Sequence, residues 1–413
     1  MLRALRFHDP TLFFLALLST LLGLFFIFDA GYARSLKDGY GVIPREFKSQ
    51  LIYLPLALFL GALVARVRAE QWKKWSKLLW IFAFICILLP LIPGLGVELN
   101  GASRWVRLGT LPFIGPIMIQ PAEFAKVAVV IYLAGAFAGR AAWPQKIKPQ
   151  KDFGRWADNV AIPKLMRAMP AVWVLLAVVL IEKEPDLGTA AVVAVIAFGM
   201  FFIGGVTKKS LIWLCVLAVV GVLVMIQKEP YRLERITSHS SRWSSDNIDD
   251  MGFQTAQSEA AMASGWIIGQ GVGSGRAKHI LPAATTDFMP ATIAEEFGFV
   301  GMVVSIGVLA MLALRLFSVA GKAPTPFGSM VLSGVAWWIT IQTTVNVMMA
   351  NGFLPPIGIP LPFLSSGGSS LVALWIAMGL CQSALAPLPV KEDDENAPDR
   401  YRWGNRRARL SRA

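Results

Sequence analysis

Residues 11–30 read TLFFLALLSTLLGLFFIFDA, an apolar run from Thr11 to Ala30 that decides how the rest of the chain is read. As a helix of about 1.5 Å rise per residue it would cover about 30 Å, the thickness of a bilayer's hydrocarbon core. It is longer than the apolar part of a secretion signal, and Phe25-Phe26-Ile27-Phe28 offers no small-residue cleavage site. It therefore reads as a first membrane span.

Comparable runs recur to the end of the chain. Spans are expected near 11–30, 50–66, 78–97, 120–139, 168–182, 187–206, 209–227, 291–318, 326–350 and 367–388. The fifth is short and ends in Glu182-Lys183-Glu184-Pro185-Asp186, which leaves room for a tilt or an early stop. Of the 413 residues 55% are hydrophobic and 16% charged, and mean hydropathy is +0.57. Soluble domains carry roughly 25% charged residues, so the depletion points away from them. The expected fold class is an all-α polytopic membrane protein of about ten transmembrane helices, with a large extracytoplasmic loop between helices 7 and 8.

An even number of spans puts both termini on one side. Of the 39 Lys and Arg, 25 fall on that side and 13 on the other, with Lys126 inside a span. Cytoplasmic loops carry the excess of positive charge, so both termini are expected in the cytoplasm and the polar loop 228–290 outside. Residues 1–388 then form the transmembrane domain and 389–413 a charged cytoplasmic tail, with 140–165 as a cytoplasmic connector. The net charge of +13 is mostly a topology signal, and the basic stretch Arg400 to Arg412 should lie against anionic membrane lipids. No nucleic-acid partner is needed to explain it. Cys86, Cys215 and Cys381 sit in apolar segments without redox spacing, and the three histidines, His8, His239 and His279, lack zinc-ligand spacing. A hard divalent cation held by carboxylates and substrate phosphates remains compatible with the sequence.

Several segments carry charge where apolar residues would be cheaper. In Asn100-Gly101-Ala102-Ser103-Arg104-Trp105-Val106-Arg107, the two arginines at i, i+3 would share a helical face. That segment reads either as an interfacial anchor or as a cradle for an anionic lipid headgroup. In Gln120-Pro121-Ala122-Glu123-Phe124-Ala125-Lys126, Glu123 and Lys126 form a second i, i+3 pair entering the membrane. They would hold two helices together or line a polar cavity. Asp186 is placed to cap the sixth span.

The outer loop contains Tyr231-Arg232-Leu233-Glu234-Arg235, then Gln254-Thr255-Ala256-Gln257-Ser258, then glycines at 265, 269, 271, 273 and 275 ahead of Arg276-Ala277-Lys278-His279. Such glycine density lets backbone N–H groups approach an anion, although no P-loop pattern is present. The loop leads into Thr286-Asp287-Phe288 and then Glu295-Glu296-Phe297-Gly298. The adjacent glutamates would point about 100° apart on a helix, one inward and one capping or packing. The prolines and glycines from Phe353 to Ser370 cannot continue a helix, so that stretch is either an outer loop with an N-cap or irregular backbone lining a cavity.

Together these motifs resemble the SEDS family (shape, elongation, division and sporulation), represented by RodA and FtsW, over most of the chain to about residue 385. The resemblance implies a peptidoglycan glycosyltransferase of the bacterial cytoplasmic membrane, polymerising lipid II during elongation or division beside a class B penicillin-binding protein. It puts the family's essential acid on Asp287 and implies a divalent cation, Mg2+ or Mn2+, to which Asp287 could contribute. Candidate substrate contacts are Arg104, Trp105, Glu123, Lys126, Arg235, Gln254, Gln257, Arg276, Lys278, Glu296 and Ser369. Departures from the family pattern are Ala283 for a usual Glu, Phe253 for Tyr, Glu259 for Leu, Met289-Pro290 for Ile-Phe and Ser366 for Tyr, with Pro290 expected to affect how span eight begins.

The reaction needs a base for the attacking hydroxyl and positive charge for the departing pyrophosphate, so nearby cations are expected to hold the pKa of Asp287 down. A lipid II flippase and a non-catalytic scaffold are the rival readings. An outward chemistry-bearing loop and the lack of an inverted repeat argue against the flippase.

Overall fold

The computed structural model describes residues 8–99, 102–111, 115–138, 162–228, 230–245, 247–248, 250 and 252–388. The connector expected at 140–165, apart from 162–165, and the tail at 389–413 lie outside these residues, as do Asn100 and Gly101. The helices are α1 (Pro10–Lys37), α2 (Arg45–Arg66), α3 (Ala69–Leu88), α4 (Pro121–Phe137), α5 (Ile162–Lys183), α6 (Leu187–Ile203) and α7 (Lys208–Lys228). Three follow in the polar loop, α8 (Pro230–Ser240), α9 (Phe253–Gly265) and the single turn α10 (Ala277–Ile280). The last three are α11 (Met289–Ala320), α12 (Pro326–Ala350) and α13 (Gly368–Ala384).

The apolar runs of the sequence therefore do form helices, α1–α7 and α11–α13. Helical segments 10–37, 45–66, 69–91 and 289–320 are long and apolar enough to cross a membrane, and α6 and α13 are shorter apolar helices. Their starts follow local chemistry. Asp9 caps α1 through the Leu12 N–H, and Thr325 caps α12 through the Gly328 N–H, each ahead of a proline whose missing N–H costs nothing there.

Two elements differ from expectation. The third span was expected at 78–97, but α3 begins at Ala69 and stops at Leu88, because Pro90, Pro93 and Gly94 (φ +87°) cannot extend it. The described residues between 96 and 119 form an antiparallel sheet of β1 (Gly96–Leu99), β2 (Ala102–Leu111) and β3 (Gly115–Ile119) rather than a helix. Val97 opposes Trp105 while Glu98 opposes Ser103, so Arg104 is the extra residue of a β-bulge. A bulge re-aims the side chain it carries. Arg104 and Arg107 consequently share no helical face: Arg104 is half-buried and Arg107 exposed.

α4, α12 and α13 form the centre, with nearly every α4 residue from Pro121 to Ala134 buried. α2 and α13 touch at backbone distance, since a Cβ on Gly379 would lie 2.1 Å from the Gly61 carbonyl oxygen. In lipid, where apolar surface gives no driving force between helices, such small-residue contacts supply the packing. Phe59, Leu78, Phe82 and Trp213 point outward, as lipid-facing side chains do. At one end Asp9 joins three helices. Its carboxylate pairs with Arg315 Nη2 at 2.8 Å and its backbone N–H donates to Gln382 Oε1 at 3.0 Å.

α11 is broken at Gly298 (φ +66°), and Pro290 lies in its first turn, where a missing N–H costs nothing. Into this break docks the chain from Gly265 to Gly271. Phe299 N–H donates to Trp266 O at 2.8 Å and Gly271 N–H to Glu296 O at 3.0 Å. A Cβ on Gly298 would sit 2.4 Å from Gly269 N.

Candidate active site

Asp287 ends the polar loop, half-buried, two residues before α11. Its main chain is pinned from both sides. Asn346 Nδ2 donates to Asp287 O at 2.8 Å, Ser365 Oγ to Thr286 O at 2.5 Å, and Ser366 N–H to Thr285 O at 2.8 Å. Its Oδ2 lies 3.7 Å from where a Cβ on Gly358 would stand, so the proline-rich segment forms one wall of the site. That segment packs in turn on the start of α6, where a Cβ on Gly188 would meet Ile357 O at 2.3 Å.

The α5–α6 turn adds two more acids. Asp186 caps α6 through the Thr189 N–H at 3.2 Å and accepts from Gln120 Nε2 at 2.5 Å. Glu184 is fully buried, and among the described residues neither of its carboxyl oxygens has a hydrogen-bond partner. Arg104, re-aimed by its bulge, donates to Pro185 O between these two acids. Burial and the neighbouring Asp186 push the Glu184 carboxyl up to about 9. Burial also raises Asp186, against the pull of Arg104. For Asp287, burial first and Asp186 second raise the carboxyl to about 6, while Arg104 and Arg235 oppose them. The cations thus limit the rise without holding the pKa down as the sequence led us to expect, because desolvation outweighs them.

Beneath this site the Glu123–Lys126 pair is buried at 2.7 Å. Lys126 Nζ also reaches Gln342 Oε1 at 3.3 Å and lies 5.4 Å from the Trp338 ring centroid. Ser369 accepts from the Gln120 N–H at 3.0 Å, tying α13 to the foot of α4. Trp105 is half-buried on β2, and Gln254 and Gln257 are half-buried on α9, whose Ser258 donates to Ala350 O at 2.6 Å. Arg276 is exposed.

The glycine-rich loop does gather N–H groups around an anion, but the anion belongs to the protein. Gly273 and Gly275 N–H donate to Glu296 at 2.9 and 3.0 Å, and Ala277 N–H to Glu295 at 2.8 Å. Both glutamates therefore meet this loop, because it crosses both directions in which they point. Lys278, expected at the phosphates, is buried between Glu296 at 2.6 Å and Asp29 of α1 at 3.2 Å. Arg104 and Arg235 are left as the cations acting on Asp287. Sequence reasoning missed Gln120, Gln342 and Asn346 as parts of the site. For the last two a signal existed, since amides four residues apart in an apolar run share one helix face.

A helical membrane protein with a cluster of carboxylates at one end, faced by arginines, is the class that this fold and site define. A family model described as cell cycle protein, covering FtsW, RodA and SpoVE, matches residues 9–387, and the chain belongs to that family. It is 34% identical over 333 residues to a probable peptidoglycan glycosyltransferase FtsW of Allochromatium vinosum, covering 80% of this chain and 77% of the relative. A chain of a peptidoglycan synthase complex, described as coordinating polymerization and crosslinking, matches with a TM-score of 0.69 and 28% identity over 92% of this chain and 98% of that one. The rod shape determining protein RodA of Thermus thermophilus matches with a TM-score of 0.60 and 26% identity over 91% of this chain and 95% of its own.

Proposed function

We propose that Asp287 is the acting carboxylate of this peptidoglycan glycosyltransferase, which polymerises the disaccharide of lipid II into glycan strands in cell elongation or division. The observation that carries the assignment is a carboxylate with a fixed main chain, raised to about 6, with Arg104 and Arg235 acting on it. Such a group is ionised at neutral pH and still basic enough to take a proton. The acceptor sugar's hydroxyl oxygen bonds to the donor's anomeric carbon, the bond from that carbon to the lipid pyrophosphate breaks, and Asp287 takes or orients the hydroxyl proton. Arg104 and Arg235 offset charge on the leaving pyrophosphate. Exposed Arg276 and half-buried Trp105, Gln254 and Gln257 can meet a lipid-linked sugar. Buried Glu123, Lys126, Lys278, Glu296 and Ser369 act through what they hold. Polymerisation of labelled lipid II in detergent tests the assignment: Asp287→Asn should lose activity, and wild-type turnover by that variant would refute it. Detergent leaves no bilayer to cross, so strands formed there also exclude a pure translocase.

Among the described residues no three His, Cys, Asp or Glu side chains converge as a metal cage. The carboxylates near Arg104 fit a divalent cation only as a shared ligand, held by Asp287 together with substrate phosphates. Bound so, it would neutralise charge on the pyrophosphate. Undiminished turnover in EDTA would exclude it.

The topology proposed has ten spans, cytoplasmic termini and residues 228–290 outside, with 1–388 as the membrane domain and 389–413 as a cytoplasmic tail. The lysine and arginine asymmetry supports it. A class B penicillin-binding protein is the proposed partner. Supporting this, Phe299, Val300, Val303 and Val304 on α11 and Trp266, Ile267 and Ile268 of the loop expose apolar side chains. Copurification in mild detergent tests the pairing, and an absence of any transpeptidase would count against it.

A further inference from the structure

The segment from Leu354 to Leu364 carries prolines at 355, 356, 360 and 362 and so lacks four of its backbone donors. It cannot hold its own shape by a ladder of backbone bonds, and its carbonyls need donors from elsewhere. Two come from one face of α12. Gln342 and Asn346 lie four residues apart, both fully buried. Gln342 Nε2 donates to Pro360 O at 2.8 Å. Asn346 Nδ2 donates both to Ile359 O at 2.6 Å and to Asp287 O at 2.8 Å.

One amide group therefore ties the backbone of the acting acid to the wall beside it. Next to the Ile359 acceptor is Gly358, in a left-handed conformation (φ +74°), where a Cβ would stand 3.7 Å from Asp287 Oδ2. Gln342 is itself oriented by Trp338 Nε1 at 2.6 Å and Lys126 Nζ at 3.3 Å, both donating to its Oε1. The buried Glu123–Lys126 pair of α4 is thereby linked through Gln342 and Pro360 to the same wall.

We propose that Asn346 is a positioning residue for glycan polymerisation: its amide sets the Asp287 carboxylate relative to Gly358, with Gln342 one turn away anchoring the same segment. This rests on Asp287 as the acting carboxylate. Asn346 meets no reacting atom and acts through the Asp287 main chain. Displacing a reacting group by about 1 Å can cost on the order of 100-fold in rate while leaving binding intact.

Steady-state polymerisation of lipid II in detergent, over a range of pH, tests it with Asn346→Ala, the isosteric Asn346→Asp, Asp287→Asn and the double variant Asp287→Asn with Asn346→Ala. The expected result is a fall in kcat of about 10- to 100-fold in both Asn346 variants, with KM changed by less than about 2-fold. The acidic limb of kcat/KM should move, and the double variant should be no slower than Asp287→Asn alone, because residues acting as a unit are non-additive. Wild-type kcat in either Asn346 variant, a further loss in the double variant, or aggregation of both Asn346 variants on size exclusion would overturn the assignment. Wild-type turnover by Asp287→Asn would instead overturn the role of Asp287, so the two failures are distinguishable.

Discussion

The pH dependence of this enzyme should report the contest among burial, Asp186 and the two arginines at Asp287. With its carboxyl at about 6, Asp287 is about nine-tenths ionised at pH 7 and about one-tenth at pH 5. Because kcat/KM follows groups of the free enzyme, its acidic limb should fall with unit slope and a midpoint near 6. Asp186 raises Asp287, so Asp186→Asn should move the limb to lower pH, while keeping an N-cap for α6. Arg104 lowers Asp287, so Arg104→Gln should move the limb to higher pH. Two charges about 10 Å apart at an effective dielectric of about 20 interact by about 1.7 kcal/mol, so each shift is expected to reach up to about one pH unit. The assay is initial-rate polymerisation at subsaturating lipid II across pH 4.5–8, with the same substrate for all three proteins so that its own titration cancels. A wild-type profile that stays flat down to pH 4.5, as an ordinary carboxyl value of 3.8 would leave it, or a shift of both variants in the same direction, would refute the reasoning.

Lys278→Met leaves Asp29 and Glu296 buried without their cation, a change that costs about 3–5 kcal/mol in such clusters. The thermal midpoint of the detergent-solubilised variant should drop by several degrees, and an unchanged midpoint would show that the cluster is not structural. Glu259→Leu installs the residue usual in the family, yet here it removes the partner of Arg242 Nε at 2.6 Å and Trp243 Nε1 at 2.9 Å. The loss should be about 1–2 kcal/mol, seen as faster proteolysis between 240 and 255, because those bonds fasten that part of the loop to α9. Cleavage no faster than in the wild type would contradict it.

The membrane helices were legible because an apolar run long enough to span a bilayer has few other uses. Asp186 was legible through its position at a helix start, where it caps α6. The sheet between 96 and 119 was not, since Arg104-Trp105-Val106-Arg107 fits a helix face and a strand equally well, and only pairing with β1 and β3 decides. Lys278 looked like a phosphate ligand because its partner Asp29 lies 249 residues away and nothing local announces the pair. The pKa of Asp287 was misjudged for a related reason. Charges can be counted in a sequence, but the depth at which they are desolvated cannot. The absent carboxylate at Ala283 has a structural counterpart: this position joins the small apolar cluster of Ala261, Leu281, Ala284 and Phe288 that seats the loop.

The glycine loop that cradles Glu296 is self-liganded. Loops that close around a substrate phosphate usually wait for it, and recognition is then weakened by the entropy of ordering them. Here a carboxylate from the protein's own helix occupies the cradle permanently, so the ordering is done at folding. Backbone amides 273, 275 and 277 should exchange slowly with solvent whether or not lipid II is present. The segment is then a fixed support for the start of α11, set at folding and independent of substrate.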